Sequence, residues 1–238
     1  MRLLTTFIAL IALMIGVFQL ERERAGIPRE TAQVGTTPVT IYGKTPGPAV
    51  VIAHGFAGSR QLMEGYALTL ARAGYYAVSF DFEGHGRNPI PMSGNVTQID
   101  GTTRLLMEET RRVIDFARAL PGVEGRIALL GHSMATDVIT RVAIEDKIPT
   151  VVGVSMFSEA VSDSEPTRLL MISGQAEGHL RGAAMDAMAL VGAGGEGETV
   201  TQGKVVRRAV VAPGVEHVGV LYSKTAKREA LAWINAAF

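Results

Sequence analysis

The chain is 238 residues long and carries 23 Lys+Arg against 23 Asp+Glu, a balance that argues against a nucleic-acid surface, which needs a basic excess to release counterions. Hydrophobic residues make up 47% and charged residues 19%, which excludes a disordered or low-complexity chain and leaves enough apolar material for a real core. No cysteine is present; disulfides, thiolate nucleophiles and cysteine-ligated metal sites are excluded together, while the redox compartment stays open.

Part of the hydrophobic content is not core. Residues 3–20, LLTTFIALIALMIGVFQL, hold no charge over 18 positions, and as a helix they cover roughly 27 Å, a short bilayer span. Arg2 precedes the stretch, Glu21, Arg22, Glu23 and Arg24 follow it, and its end lacks the small-x-small pattern of a cleaved signal peptide. Residues 1–24 are therefore predicted to be a transmembrane signal anchor and residues 25–238 a single domain. The alternative is a helix packed into the body, but no downstream segment is built to cover so long an apolar cylinder. Arg2 and the amino terminus face Arg22, Arg24 and Arg29 across the span, so the positive-inside rule does not orient it. The shortness of the leading tail favours an exported, periplasmic body. Setting aside residues 1–24, with three arginines and two glutamates, leaves 20 basic against 21 acidic side chains. Attachment is thus expected to rest on the apolar helix with little help from a basic patch.

Beyond the anchor, short β-rich runs alternate with helical patterns. Apolar runs stand at 39–42, 49–53, 75–80, 126–130, 150–154, 168–172 and 205–211. Segments 60–73, 101–120, 135–145, 180–191 and 223–237 carry apolar residues at three- and four-residue spacing. Strands nearly continuous in Val, Ile and Leu, each followed by a helix, imply a parallel sheet covered on both faces. Such sheets bind ligands at the carboxyl ends of their strands. The Gly-rich stretch 192–197 follows a helix and reads as a surface loop, without the strand-to-helix context of a phosphate loop.

Five strand ends carry the chemistry-bearing residues. His54-Gly55-Phe56-Ala57-Gly58 follows PAVVIA, where glycine lets the backbone turn sharply and aim amide N–H groups into a cleft, as an oxyanion needs. Asp81-Phe82-Glu83-Gly84-His85-Gly86 follows the next run, Gly131-His132-Ser133-Met134-Ala135 stands between RIALL and a helix, Gly174-Gln175-Ala176-Glu177 follows RLLMIS, and Glu216-His217 follows the last run.

On these motifs the chain resembles the α/β-hydrolase superfamily from about Pro38 to the C-terminus. A lone G-x-S-x-G-like pentapeptide is a weak signal; one between an apolar strand and a helix, with HG upstream and an acid then a histidine downstream, is strong. The resemblance implies a three-layer α/β-hydrolase fold, mostly parallel sheet with helices on both faces. It also implies Ser133 as nucleophile, Glu177 as the acid after the penultimate strand and His217 as the base after the last.

The residues read the same way physically. A serine hydroxyl attacks only when a base takes its proton, and a tight strand-to-helix turn holds the Ser133 hydroxyl at the sheet edge where a group from another strand end reaches it. His217 would be that base, with Glu177 orienting the imidazole. The N–H groups of Met134 and Phe56 are the candidate oxyanion donors. Each assignment has a competitor: Ser133 as a helix N-cap, His217 as a surface histidine, His179 as a rival base. His54, His85 and His132 read as structural residues hydrogen-bonded to loop backbone, and Asp81 as a turn-former. Two positions depart from the family pattern. Ala135 stands where glycine is commoner, and Glu177 where aspartate is usual, which leaves Glu159 and Asp163 as fallback acids.

Only about a dozen residues, SMFSEAVSDSEPT, separate the runs at 150–154 and 168–172, where many relatives insert a helical cap. No cap domain is expected. Such a site is shallow, with segments 88–100 and 192–203 as possible rims and Met92, Met134, Met156 and Phe157 as apolar surface. The function expected is hydrolysis of a small acyl ester or thioester through an acyl-enzyme, with no metal or organic cofactor and no nucleic acid; a lipase or peptidase would differ only in pocket detail. The alternative is a catalytically silent binding or scaffold protein of the same fold at the membrane.

Overall fold

The computed structural model describes residues 2–44, 46–95 and 99–238. Nine strands form one sheet: β1 (Arg29–Val34), β2 (Thr37–Tyr42), β3 (Ala49–Ala53), β4 (Tyr76–Phe80), β5 (Ile127–His132), β6 (Thr150–Val154), β7 (Arg168–Gly174), β8 (Thr199–Gln202) and β9 (Val205–Ala212). Their spatial order is β1-β2-β4-β3-β5-β6-β7-β9-β8. The pairings from β4 through β9 are parallel, and β1, β2 and β8 join antiparallel at the edges.

The helices are α1 (Arg2–Arg24), α2 (Glu64–Arg72), α3 (Arg104–Arg118), α4 (Met134–Glu145), α5 (Gly178–Ala189) and α6 (Lys224–Asn235). Alternation along each strand sends successive side chains to opposite faces. Val51, Leu129 and Val151 pack with Ile114, Ile139 and Met188 of α3, α4 and α5, whereas Ile52, Leu130 and Val152 pack with Leu70 of α2 and Trp233 of α6. Continuous apolar runs are required because both faces are covered.

Two strands differ from the sequence reading. β1, RETAQV, is largely exposed and polar, since an edge strand with one solvated face shows no continuous apolar run. β8 occupies part of the stretch expected to be a rim. It pairs with β9 through the two-residue turn Gly203-Lys204, where Gly203 takes φ +59°. The Gly197 N–H donates to Ala209 O at 2.7 Å, so segment 192–203 runs along the outer edge strand, away from the strand ends. Of the other candidate rim, residues 96–98 lie outside the described residues; its first part folds against the end of β4, with the Gly84 N–H donating to Ile90 O at 2.7 Å. Between β6 and β7 no described residue is helical.

Helix α1 does not pack into the body. None of its apolar window is buried, and it is long and apolar enough to cross a membrane. Among the described residues only its foot touches the domain: Arg24 makes a two-pronged ion pair with Glu64 (3.0 and 2.7 Å), Arg29 joins the same carboxylate at 3.1 Å, and Arg72 meets Glu23 at 3.2 Å. The near-neutral charge count led to no expectation of a basic patch, yet the fold brings Arg24, Arg29, Arg60 and Arg87 to one pocket beside this foot. A net charge carries no information about which of its charges become neighbours.

Candidate active site

The turn after β5 is sharply constrained. Ser133 takes φ +53°, ψ −122°, a conformation costing a residue with a Cβ about 1–3 kcal/mol. It makes no side-chain capping bond, so the N-cap alternative does not describe it. A Cβ on Gly131 would lie 2.8 Å from Ile139 Cδ1 and 3.2 Å from the Ala135 carbonyl carbon; strand and helix therefore meet closely. The fully buried Ala135 sits at this contact, where a small side chain is what the packing demands.

The loop after β3 runs against this turn. A Cβ on Gly55 would sit 2.9 Å from both His132 Nδ1 and Ser133 Cβ, so the backbone leading to Phe56 is pressed against the elbow. The amide N–H groups of Phe56 and Met134 have no internal acceptor among the described residues, as expected for a first-turn helix donor. The Phe56 ring is exposed and meets His85 edge-on at 5.6 Å.

Three further strand ends, those of β6, β7 and β9, complete the site. His217, after β9, faces Ser133 Oγ through Nε2 at 2.8 Å and Glu177 Oε1 through Nδ1 at 2.6 Å. Glu177, after β7, has a side chain only 5% exposed; its Oε2 accepts from the Gly174 N–H at 2.5 Å and from Ser155 Oγ at 2.9 Å. His132 Nε2 donates to the His217 carbonyl at 2.9 Å and so holds the backbone on which the imidazole is mounted. The His217 side chain is 44% exposed, which leaves the site open to solvent. With the carboxylate on one imidazole nitrogen, the other nitrogen is left facing the serine hydroxyl.

Competing residues lie elsewhere. Glu159 and Asp163 are exposed, and neither contacts His217. His179 is exposed and stacks on Phe157, with ring centres 6.4 Å apart. His54 is buried: its Nδ1–H is assigned to Gly55 O at 2.8 Å, and its Nε2 accepts the Phe82 N–H at 3.1 Å. Burial pushes its pKa down to about 4, which preserves the neutral form this acceptor role needs. Asp81 is more than a turn-former. It is buried and ion-paired to Arg60, and it also accepts from the backbone N–H groups of Arg60 (2.7 Å) and Arg87 (2.9 Å). Met156 is buried, whereas Phe157 is half-exposed. Both line a cavity of about 220 Å³ with Val161, Met171 and Leu190, between the segment after β6 and α5.

Sequence reasoning missed Ser155 and Glu109. Ser155 follows β6 directly, ahead of the fallback acids Glu159 and Asp163, and it too has positive φ, +52°. Glu109 lies on the buried face of α3 between Leu106 and Val113, and an acid at an apolar position of a helical repeat is the signal that was available.

A parallel sheet in this order, a serine elbow after its fifth strand and partners after its last two parallel strands define the α/β-hydrolase superfamily. More closely, the chain belongs to the family described as serine aminopeptidase, S33, whose profile matches residues 44–193; Ser133 and Glu177 lie inside that match and His217 beyond it. No curated protein matches the chain significantly. Among solved structures, it is similar to a predicted CIB-like hydrolase from Thermoplasma acidophilum (TM-score 0.63, 14% identity, 89% of this chain and 98% of that one). It is also similar to an α/β serine hydrolase without lid from Xanthomonas campestris (0.61, 14%, 90% and 96%). A third is a membrane phospholipase A described as a bacterial virulence factor (0.60, 15%, 99% and 98%). At these identities the likeness is one of fold.

Proposed function

We propose that the protein is a serine hydrolase that cleaves carboxylic esters or thioesters through an acyl-enzyme, with residues 1–24 as its membrane anchor and residues 25–238 as its catalytic domain. The observation that carries this reading is the unbroken hydrogen-bonded line from Ser133 Oγ through His217 to Glu177, ending on the strained elbow. Ser133 Oγ attacks the acyl carbon as His217 Nε2 takes its proton, and the Glu177 carboxylate stabilises the resulting imidazolium. The oxyanion is met by the N–H groups of Phe56 and Met134, each worth roughly 10²- to 10³-fold in rate. The imidazolium then protonates the departing alkoxide or thiolate. Water, activated by the same histidine, releases the acid and restores the serine.

The exposed His217 and the absence of a helix among the described residues between β6 and β7 support a substrate whose scissile bond is accessible. The family description adds peptides with a free amino terminus as a competing class. Fluorophosphonate labelling tests the chemistry: the full-length protein should label and Ser133→Ala should not. A folded protein that stays unlabelled, or a variant that labels equally, identifies a silent scaffold instead. Comparing p-nitrophenyl acyl esters, acyl thioesters and aminoacyl p-nitroanilides should show turnover on the first two; turnover confined to the anilides overturns the ester assignment. The body is taken to be exported. A single cysteine introduced into this cysteine-free chain near Phe238 should react with an impermeant maleimide once the outer membrane is opened, whereas labelling only after inner-membrane lysis reverses the orientation.

A further inference from the structure

The pocket beside the foot of α1 is a second polar site, remote in sequence from the triad. It has a volume of about 540 Å³ and is walled by Arg24, Arg29, Arg60 and Arg87, with Glu64 and Tyr42. Four guanidinium groups thus face one lining carboxylate. Arg24 is fully committed, to Glu64 and to Glu21. Arg60 is held by Asp81 and by Thr40 Oγ1 at 3.0 Å. The Arg87 guanidinium has no partner among the described residues, and Arg29 uses only Nη1, on Glu64. Tyr42 also lines the pocket; burial raises its pKa to about 12, so its hydroxyl stays a donor. A preformed excess of planar donors around one carboxylate is what a phosphate requires.

Position names the source of that phosphate. The last apolar residue of α1 is Leu20, and Arg24 follows one turn later, about 6 Å along the axis. The head-group layer on each side of a bilayer is about 5–7 Å deep, so Arg24 and the pocket it walls stand at phosphate depth. A zwitterionic head group would bring its own cation against the excess positive charge.

We propose that this pocket is a phosphate site that takes the head group of an anionic phospholipid, drawing the domain onto acidic membranes. The proposal rests on the reading of α1 as an anchor. The test uses full-length protein in an uncharged detergent. Dihexanoyl phosphatidylglycerol should raise its unfolding temperature in a saturable way, and dihexanoyl phosphatidylcholine should leave it unchanged. Because Arg87 has no internal partner, Arg87→Gln should unfold like the parent without lipid and should raise the apparent Kd for phosphatidylglycerol about tenfold or more, with Arg29→Gln adding to the loss. An absent response, an equal response to phosphatidylcholine, or an unchanged Kd in the double variant overturns the site. Inorganic phosphate binding as tightly as phosphatidylglycerol overturns the lipid source. Alkaline carbonate extraction addresses the anchor separately: a protein stripped from membranes that still binds phosphatidylglycerol through Arg87 refutes the anchor and keeps the phosphate site.

Discussion

Two glutamates are buried in the domain, Glu177 beside the Ser133 turn and Glu109 on α3, and their surroundings differ. Glu177 gives one oxygen to His217 and the other to a backbone N–H and Ser155. Glu109 receives three neutral donors, Thr37 Oγ1 (2.6 Å), the Glu83 N–H (2.9 Å) and Asn88 Nδ2 (2.8 Å), and no cation among the described residues. Through them it ties β2, the loop after β4 and α3 together. Burial pushes its carboxyl above the usual carboxylate range. A carboxylate aimed at an imidazole stabilises a charge that comes and goes during a reaction; one surrounded by neutral donors fixes a loop.

Substitution at the two sites should therefore fail in different currencies. Glu177→Gln should leave substrate binding intact and lower kcat by about 10⁴-fold, the scale seen when a triad acid is neutralised, while Glu109→Gln changes kcat less than about tenfold. If Glu159→Gln or Asp163→Asn causes the large loss instead, the Glu177 assignment fails. Glu109→Ala strands a hydroxyl, an amide and a backbone N–H, and should cost about 3 kcal/mol in urea unfolding. The parent's stability should also carry a pH signature. With the folded-state pKa of Glu109 raised, its contribution is full below the ordinary carboxylate range and declines as pH rises through the raised value. That slope should be missing in Glu109→Gln. Ser155→Ala removes one donor from Glu177 and should lower kcat about tenfold at unchanged KM; a shift in KM alone would remove Ser155 from the acid's support.

The parallel strands, the helices and the placing of Ser133, Glu177 and His217 just beyond strand ends were legible in the sequence, because an apolar run followed by a turn is a local pattern; the choice of Glu177 over Glu159 and Asp163 came from the family resemblance. Most of what escaped has no such local expression. β1 and β8 are edge strands whose solvated faces interrupt the apolar pattern. Asp81 read as a turn residue because its partner Arg60 comes from the loop after a different strand. The arginine pocket gathers α1, β1 and the loops after β3 and β4 across sixty-odd positions of sequence, from Arg24 to Arg87. Ser155 was within reach, since the rule applied to the other strand ends applies to β6 as well.

The left-handed backbone of Ser133 has a thermodynamic corollary. Glycine reaches φ +53° without a steric penalty, so Ser133→Gly should melt at a higher temperature than the parent while losing all turnover. An inactive variant that gains stability would mean that the residue doing the chemistry is also one the fold would discard, and that selection for activity holds the protein below its own stability optimum.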